Sequence, residues 1–511
     1  MLPSILTEPV SLVLSYPVTC FLVIFATSLL RTRYRPGLRN VPGPFIASFS
    51  NWWKWSAVWR RNMHRENIRV HEDYGLVVRI GPNHVSLADP GSMAAIYGVQ
   101  TVFKKSEFYP LAEAIYNGRF LPNLFTTQSN EYHAKLKKGA ARAFAMDTMI
   151  GLESYVDECV ELLLTRLSEV SAEKRSAIDA VAWMQYFAFD VLGQINFSKD
   201  LGFMKKGGDV DGIIAAIHGI LGYVSLIGQA PLMHKFLLGN PLLPKLLPSI
   251  EKTNQVLQFS LARIEERKKE PSTRKDILSQ LFATSEKDPT LLTEDEIVAI
   301  TTTNVIAGSD TTAISLASVL YNLGKYPKAR ASLEAEMASA IRSGQVSQPI
   351  TYAEATRVPY LSAVIDESLR VHPATGFILE RLVPKGGVDL CGIHLPEDTV
   401  VGVNTWVLHR NKEVFGEDSE VFRPERWIES DKDQIRDMKR NLFTFGYGPR
   451  SCIGKNISML EMWKVVFELY RTFDVQLKDP KQERRVDGRW FTTQSHVEVV
   501  LTKKKEDWFQ R

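Results

Sequence analysis

The sequence predicts a mainly α-helical body with a small β region, preceded by one N-terminal transmembrane helix. Three observations predict it. Residues 9–30 carry no charged side chain, most of residues 130–345 read as helix, and strand-like runs are confined to short stretches around 76–88, 377–403 and 497–502. With 45% hydrophobic residues over 511 positions there is ample material for a large core. No Gly/Ser-rich or Pro-rich linker interrupts residues 60–505, so the chain reads as one unit of residues 45–511. It follows a short luminal segment (1–8), an anchor (9–30) and a basic, Pro/Gly-rich hinge (31–44).

The anchor runs from Pro9 to Leu30, with Leu12–Leu14 and Phe21–Phe25 as its apolar centre. At about 1.5 Å per residue it reaches about 33 Å, against a hydrocarbon core of about 30 Å. A cleaved signal peptide would begin basic, whereas the first eight residues hold Glu8 and no Lys or Arg. Arg31, Arg33, Arg35 and Arg39 follow, which places the body on the cytosolic face of the endoplasmic reticulum membrane. Pro36-Gly37 and Val41-Pro42-Gly43-Pro44 then form a stiff hinge. Trp52, Trp53, Trp55 and Trp59 suit either a bilayer interface or the packing of a first helix.

Further along, residues 76–88 read as a hairpin around Gly81-Pro82-Asn83. Residues 212–234 are uncharged if His218 and His234 are neutral, but Gly219, Gly222, Gly228 and Pro231 break the run. A pair of helices beside an apolar pocket fits better than a second span. The capping box Thr293-x-x-Glu296 opens a helix expected to run to Lys325, before Pro327. Thr351-x-x-Glu354 opens another, and Pro359 suits the first turn of the next.

Charge and cysteine content exclude some functions. The 62 basic and 58 acidic residues leave +4, no global field for nucleic acid. Cys20, Cys159, Cys391 and Cys452 are too few and too scattered for a disulfide scaffold. One of them sits in a distinctive setting, Phe445-Gly446-Tyr447-Gly448-Pro449-Arg450-Ser451-Cys452-Ile453-Gly454. Two glycines permit a tight loop, Pro449 stiffens it, and the cysteine precedes a helix whose first N–H groups favour thiolate. Arg450 can neutralise an anionic group beside a metal, and Gly454 allows close approach of a flat ligand.

This F-x-x-G-x-R-x-C-x-G pattern resembles the haem-binding loop of the cytochrome P-450 superfamily, and the layout from about Val41 to Leu501 is similar to that of its fungal microsomal members. The resemblance implies that fold, with haem b held by Cys452 as metal ligand and with Phe445 and Arg450 beside it. It implies a buried network of Glu367, Arg370 and Arg426 bracing the loop. In Ala307-Gly308-Ser309-Asp310-Thr311-Thr312 it implies small residues (Ala307, Gly308) that admit dioxygen and an acid–alcohol pair, Asp310 and Thr311, that relays protons. His133 and Lys137 stand where the family often has Trp and Arg, so their contact with a haem propionate is weaker; Arg381 is another candidate. Substrate walls are expected from Phe108, Phe120, Phe125, Asn304, Phe377, Ile378 and Phe491. The implied activity is insertion of one oxygen atom from dioxygen into a lipophilic small molecule, in fungal specialised metabolism or detoxification. Its electrons would come from NADPH through NADPH-cytochrome reductase, with cytochrome b5 a further candidate partner. Basic residues of the 133–142 helix, with Lys455, suit docking of that acidic partner. A haem-thiolate isomerase or dehydratase needing no reductase, and a non-catalytic haem-binding protein, are the alternatives.

Overall fold

The computed structural model describes residues 16–174, 177–247 and 254–505. The expected segment 1–8 and the first part of the anchor, residues 9–15, lie outside the described residues, as does the terminus 506–511. Helix α1, Pro17–Arg33, opens with proline in its first turn, where a missing N–H costs nothing, and continues past Leu30 into the basic flank. No described helix is long and apolar enough to cross a membrane. The described part of the expected span 9–30 lies in this helix of 17 residues, whose Phe21, Leu22, Val23, Ile24 and Phe25 are exposed. Its C-terminal end is tied to the body by buried Arg79, which donates to the carbonyls of Thr32 (2.7 Å), Arg33 (2.9 Å) and Leu38 (3.3 Å). A guanidinium at a helix C-terminus answers the last unsatisfied carbonyls.

The hairpin forms as Val77–Gly81 and His84–Leu87 and joins a five-stranded sheet in the order 77–81, 84–87, 400–403, 381–382, 104–105. The 400–403 strand lies parallel to 84–87 and the other pairings are antiparallel. Helix α2, Trp52–Trp59, packs beside this sheet. Trp52, Trp55 and Trp59 stack in a row with 5.3 Å between successive rings, Trp52 and Trp59 being exposed. Core packing does not explain this outer row.

The helical body is built around α5, Glu294–Lys325, which follows α3 (Ala180–Phe197) and α4 (Ile213–Ile227) in the chain. The Thr293/Glu296 capping box starts α5 as expected, and Pro327 opens the next helix. Burial on nearly every side from Glu296 to Leu323 marks it as the central helix, packed along α3. Gly308 permits that packing, since a Cβ there would lie 2.8 Å from Leu192. The 212–234 run resolves into α4 and a 3₁₀ segment, Pro231–Phe236.

Helix α6, Pro359–Val371, carries the expected network. Glu367 takes a bidentate contact from Arg370 (2.7 and 2.8 Å), the Arg426 Nε (3.0 Å), the Trp427 indole N–H (2.9 Å) and the Arg423 N–H (2.8 Å). All three charged side chains are fully buried. Burial pushes the Glu367 carboxyl up, but Arg370 and Arg426 more than reverse this and hold it below its ordinary value. The network reaches the cysteine loop through a residue that the sequence does not advertise. His409 Nδ1–H donates to the Arg370 carbonyl (3.0 Å), leaving Nε2 to accept the Phe443 N–H (2.8 Å).

Glu367→Gln should remove the charge that balances two buried guanidinium groups and cost roughly 3–5 kcal/mol. Thermal unfolding of wild type and variant would show this as a lower midpoint. Because the Glu367 pKa is depressed on folding, its contribution is present above the ordinary carboxylate range. It is lost as pH falls through the folded value, so the gap should narrow in acid.

Candidate haem site

The cysteine loop is two 3₁₀ turns, Phe443–Phe445 and Gly448–Arg450, closed by the Cys452 N–H donating to the Phe445 carbonyl (2.8 Å). Gly448 has φ +64°, and a Cβ there would sit 2.0 Å from the Tyr97 carbonyl oxygen, so only glycine fits. Helix α7, Lys455–Thr472, follows at once. Burial raises the Cys452 thiol pKa; the Gly454 and Lys455 N–H groups aimed at the sulfur, with Lys455 and Lys137, oppose that rise. The sulfur is enclosed by protein yet open to a cavity of about 190 Å³. Across this cavity α5 presents one face: Ile300, Thr303, Asn304, Ala307, Gly308 and Thr311.

The cavity has a cationic edge. Lys105, His133, Lys137 and Arg450 line it. Arg450 donates to the carbonyls of Thr127 (2.9 Å) and Ser129 (3.0 Å) and to Asn130 Oδ1 (2.9 Å), and Lys137 donates to the Pro449 carbonyl (2.6 Å). Lys105 donates to the Phe125 carbonyl and lies 4.3 Å from the Tyr109 ring centroid. Burial, then Arg381 and Arg450, push Lys105 well below the usual lysine value. Burial and the Arg381 charge lower Arg450 to about 10, and burial with Arg450, Lys105 and Lys137 takes His133 to about 3. None of Lys105, Lys137, Arg381 and Arg450 makes an ion pair with a carboxylate among the described residues. Crowded, partly buried cations that repel one another are relieved by an anion. The donor set therefore fits a flat, dianionic group with a thiolate-seeking metal at its centre.

Several expected residues stand elsewhere. Arg381 sits behind the wall, donating to Tyr109 Oη (3.1 Å) and the Glu380 carbonyl (2.8 Å). Phe445 shapes the loop through its carbonyl and does not line the cavity. Phe125 and Asn304 do line it, whereas Phe120 lines a second cavity. Phe108 and Phe377 are buried against Trp490, with ring centroids 4.9 and 5.9 Å from it, and Phe491 adjoins that cluster at 6.4 Å. Ile378 points the other way, into the sheet with Val70, Val78 and Ile80.

The acid–alcohol pair also divides. Thr311 faces the cavity, its hydroxyl donating to the Ala307 carbonyl (2.8 Å). Asp310, one residue earlier, is rotated about 100° around the helix. Its carboxylate accepts from Gln185 on α3 (2.5 Å) and lies 3.6 Å from His218 on α4, which is half exposed. Burial raises the Asp310 pKa against the opposing influence of His218 and Gln185. Lys105, His218 and His409 carry no sequence signal beyond a lone charged or imidazole side chain.

Fold and site together define a mainly helical protein that opens one cysteine onto a cation-edged cavity. The family model described as Cytochrome P450 matches residues 42–506. The chain is 35% identical over 490 residues to Cytochrome P450 monooxygenase cicH of Emericella nidulans, covering 95% of this chain and 97% of that one. It is 36% identical over 461 residues to a Cytochrome P450 monooxygenase of Aspergillus terreus, covering 88% of this chain and 93% of the relative. With Pisatin demethylase of Fusarium vanettenii it shares 33% identity over 470 residues, covering 91% and 88% of the two chains. The chain belongs to the cytochrome P450 family of haem-iron proteins and is a monooxygenase.

Proposed function

We propose that this enzyme inserts one oxygen atom from dioxygen into a lipophilic small molecule of fungal specialised metabolism, with Cys452 as the haem ligand. The observation that carries the reading is the Cys452 sulfur opening on a cation-edged cavity opposite Thr311. Haem, when bound, supplies dioxygen activation, using two electrons from NADPH that arrive through a reductase. Arg450, Lys105 and Lys137 would neutralise its propionates, neutral His133 could donate a hydrogen bond to one, and Ala307 keeps the α5 wall open. Thr311 Oγ1 holds a proton donor at the cavity side of α5. Asp310 Oδ2, beside half-exposed His218, takes up protons on the surface side of α5 for relay toward the cavity. Exposed Lys138, Arg142 and Lys455 support docking of an acidic reductase, with cytochrome b5 a second candidate; Lys135 is engaged by Glu296 (2.8 Å) and drops out.

We also propose attachment to the endoplasmic reticulum membrane through the N-terminal apolar segment, with the body facing the cytosol. Support comes from the exposed apolar residues of α1, the outer tryptophan row, and exposed Leu232, Met233 and Phe236 beside α4. Deleting residues 1–33 should move most of the protein from floated microsomes to the soluble fraction; a full-length chain found soluble would end this proposal.

Cys452→Ser should abolish the red-shifted Soret band of the reduced carbon monoxide complex, the optical signature of a thiolate ligand. An unchanged band would remove Cys452 from the site.

Thr311→Ala should leave haem content and NADPH oxidation nearly intact while product per NADPH falls, with the balance found as hydrogen peroxide, because the cavity-facing hydroxyl no longer holds a proton in place. Asp310→Asn should instead slow NADPH oxidation itself. Stoichiometry of product, peroxide and NADPH separates the two, and unchanged coupling in both variants would favour an isomerase or dehydratase.

A further inference from the structure

Asp310 is held so that half of its carboxylate is left unanswered. The Gln185 amide of α3 donates to Oδ1 (2.5 Å). Oδ2 is sealed from solvent and has no hydrogen-bond partner. The His218 Nε2 of α4 faces it at 3.6 Å. The two side chains differ sharply in exposure, 1% for Asp310 against 48% for His218. One imidazole therefore touches both water and the buried acid. No other side chain of α4 can do so, since its only ionisable groups are His218 and Tyr223, and the Tyr223 hydroxyl is engaged with His234 (2.8 Å).

The elements packed around the pair bring no second donor to Oδ2 among the described residues. On α3, burial raises Tyr186 and keeps its phenol proton, and Asp190 accepts the Phe203 and Met204 N–H groups (3.0 and 2.8 Å). α5 has no other ionisable side chain between Glu296 and Tyr321. Ahead of α4, Asp209 accepts the Ile214 and Ala215 N–H groups (3.1 Å each), and Asp211 is exposed. Arg489, which approaches α4 at Gly222, is held by both oxygens of Asp487 (2.9 Å each). In the helix Gln255–Lys269 the first charge is Arg263, paired with Glu266 (3.0 Å). Lys54 of α2 is turned to His84 (2.6 Å), and Lys235 is exposed. Resting on the monooxygenase reading above, we infer that His218 is the residue through which protons enter: its imidazolium gives the Nε2 proton to Asp310 Oδ2, and the imidazole left behind is reprotonated by bulk water. Gln185 fixes the carboxylate with Oδ2 turned toward α4. Neither residue lines the cysteine cavity, so both are positioning residues that act through Asp310.

The electrostatics suit a group that must both take and release a proton. Burial raises the Asp310 pKa, while the His218 charge and the Gln185 hydrogen bond oppose the rise. At 3.6 Å the pair is longer than an N–H···O bond of about 2.9 Å, so transfer needs an approach of about 0.7 Å. Among the described residues this is the one polar side-chain contact between α4 and α5, so the seating of α4 sets the distance. α4 also walls the second cavity through Gly219, Ile220 and Tyr223, and Ile306 lines that cavity one turn before Asp310. Proton entry and the second cavity thus share a wall.

The test compares wild type, His218→Phe and His218→Lys as full-length haem-loaded enzymes supplied with NADPH-cytochrome reductase. Without added substrate, reduction of dioxygen to hydrogen peroxide consumes one proton with each NADPH. His218→Phe should slow this reaction at least about tenfold and enlarge its slowing in deuterium oxide, whereas His218→Lys, whose ammonium also carries a proton, should restore most of the rate. Reduction to the carbon monoxide complex should proceed at the wild-type rate in all three, because electron supply is untouched. A second readout is infrared titration of the carbon monoxide complex, the Asp310 carboxyl band being identified by its loss in Asp310→Asn. His218→Phe should move protonation of that carboxyl to higher pH, since the charge that opposes burial is gone, and His218→Lys should leave it near wild type. An unchanged peroxide rate and an unmoved carboxyl titration in His218→Phe would overturn the inference. So would a slow His218→Phe that His218→Lys does not restore and whose carboxyl titration has not moved, the mark of a merely structural role. Slowed NADPH oxidation in Asp310→Asn beside an unaffected His218→Phe counts against this inference only, whereas an unaffected Asp310→Asn counts against the relay reading of Asp310 itself.

Discussion

The buried Glu367 carboxylate is the interaction on which the rest depends. It gathers α6, the 405–427 segment and, through His409, the start of the cysteine loop around one negative charge. A charge this deep is tolerated because two guanidinium groups, an indole N–H and a backbone N–H all converge on it. The same convergence makes its geometry stiff. Any drift of α6 relative to the loop would break several contacts at once, so the position of Cys452 is set from about 85 residues away in sequence. Arg370 also donates to the carbonyls of His409 (2.7 Å) and Ser419 (2.5 Å), which holds the intervening segment to the same centre.

The loop end of the cavity inverts this logic. Around Glu367 charges are matched within the protein; around Arg450 they are not. Lys105, Lys137, Arg381 and Arg450 rest on carbonyl oxygens and aromatic faces, partners that soften a buried positive charge without neutralising it. An electrostatic deficit of this kind stores selectivity for a dianion. α5 then divides the space by its own geometry, one face toward Cys452, one toward the second cavity and one, at Asp310, toward Gln185 and His218. Three sets of side chains can thus meet three different surroundings from one helix.

Much of the scaffold was legible in the sequence because it is encoded by local rules. The Thr293/Glu296 capping box and Pro327 bounded α5 correctly, since they act on backbone groups within one turn. The 76–88 hairpin, the Thr351/Glu354 cap and Pro359 at the head of α6 follow for the same reason. Short strands such as Thr492–Ser495 and Arg485–Gly488 were missed, because two polar strands pairing mainly with each other show no hydrophobic alternation. Pro17 lies inside the uncharged run, and composition alone did not reveal that it would open a helix there.

The sequence by itself determined the backbone path of the cysteine loop, since glycines, proline, arginine and cysteine at fixed spacing specify it within a dozen residues. It also determined the identity of the Glu367–Arg370–Arg426 network, although only through resemblance. What the tertiary structure decided is which way neighbouring side chains face and which distant ones meet. Asp310 and Thr311 are adjacent in the chain yet look to different helices, because each helical residue turns about 100° from the last. Ile378 faces the sheet rather than the pocket, and Phe108 and Phe377 are spent on packing Trp490. Lys105 joins Arg450 in the wall of one cavity only because segments more than 300 residues apart are packed together, and no local spacing rule reports such a meeting.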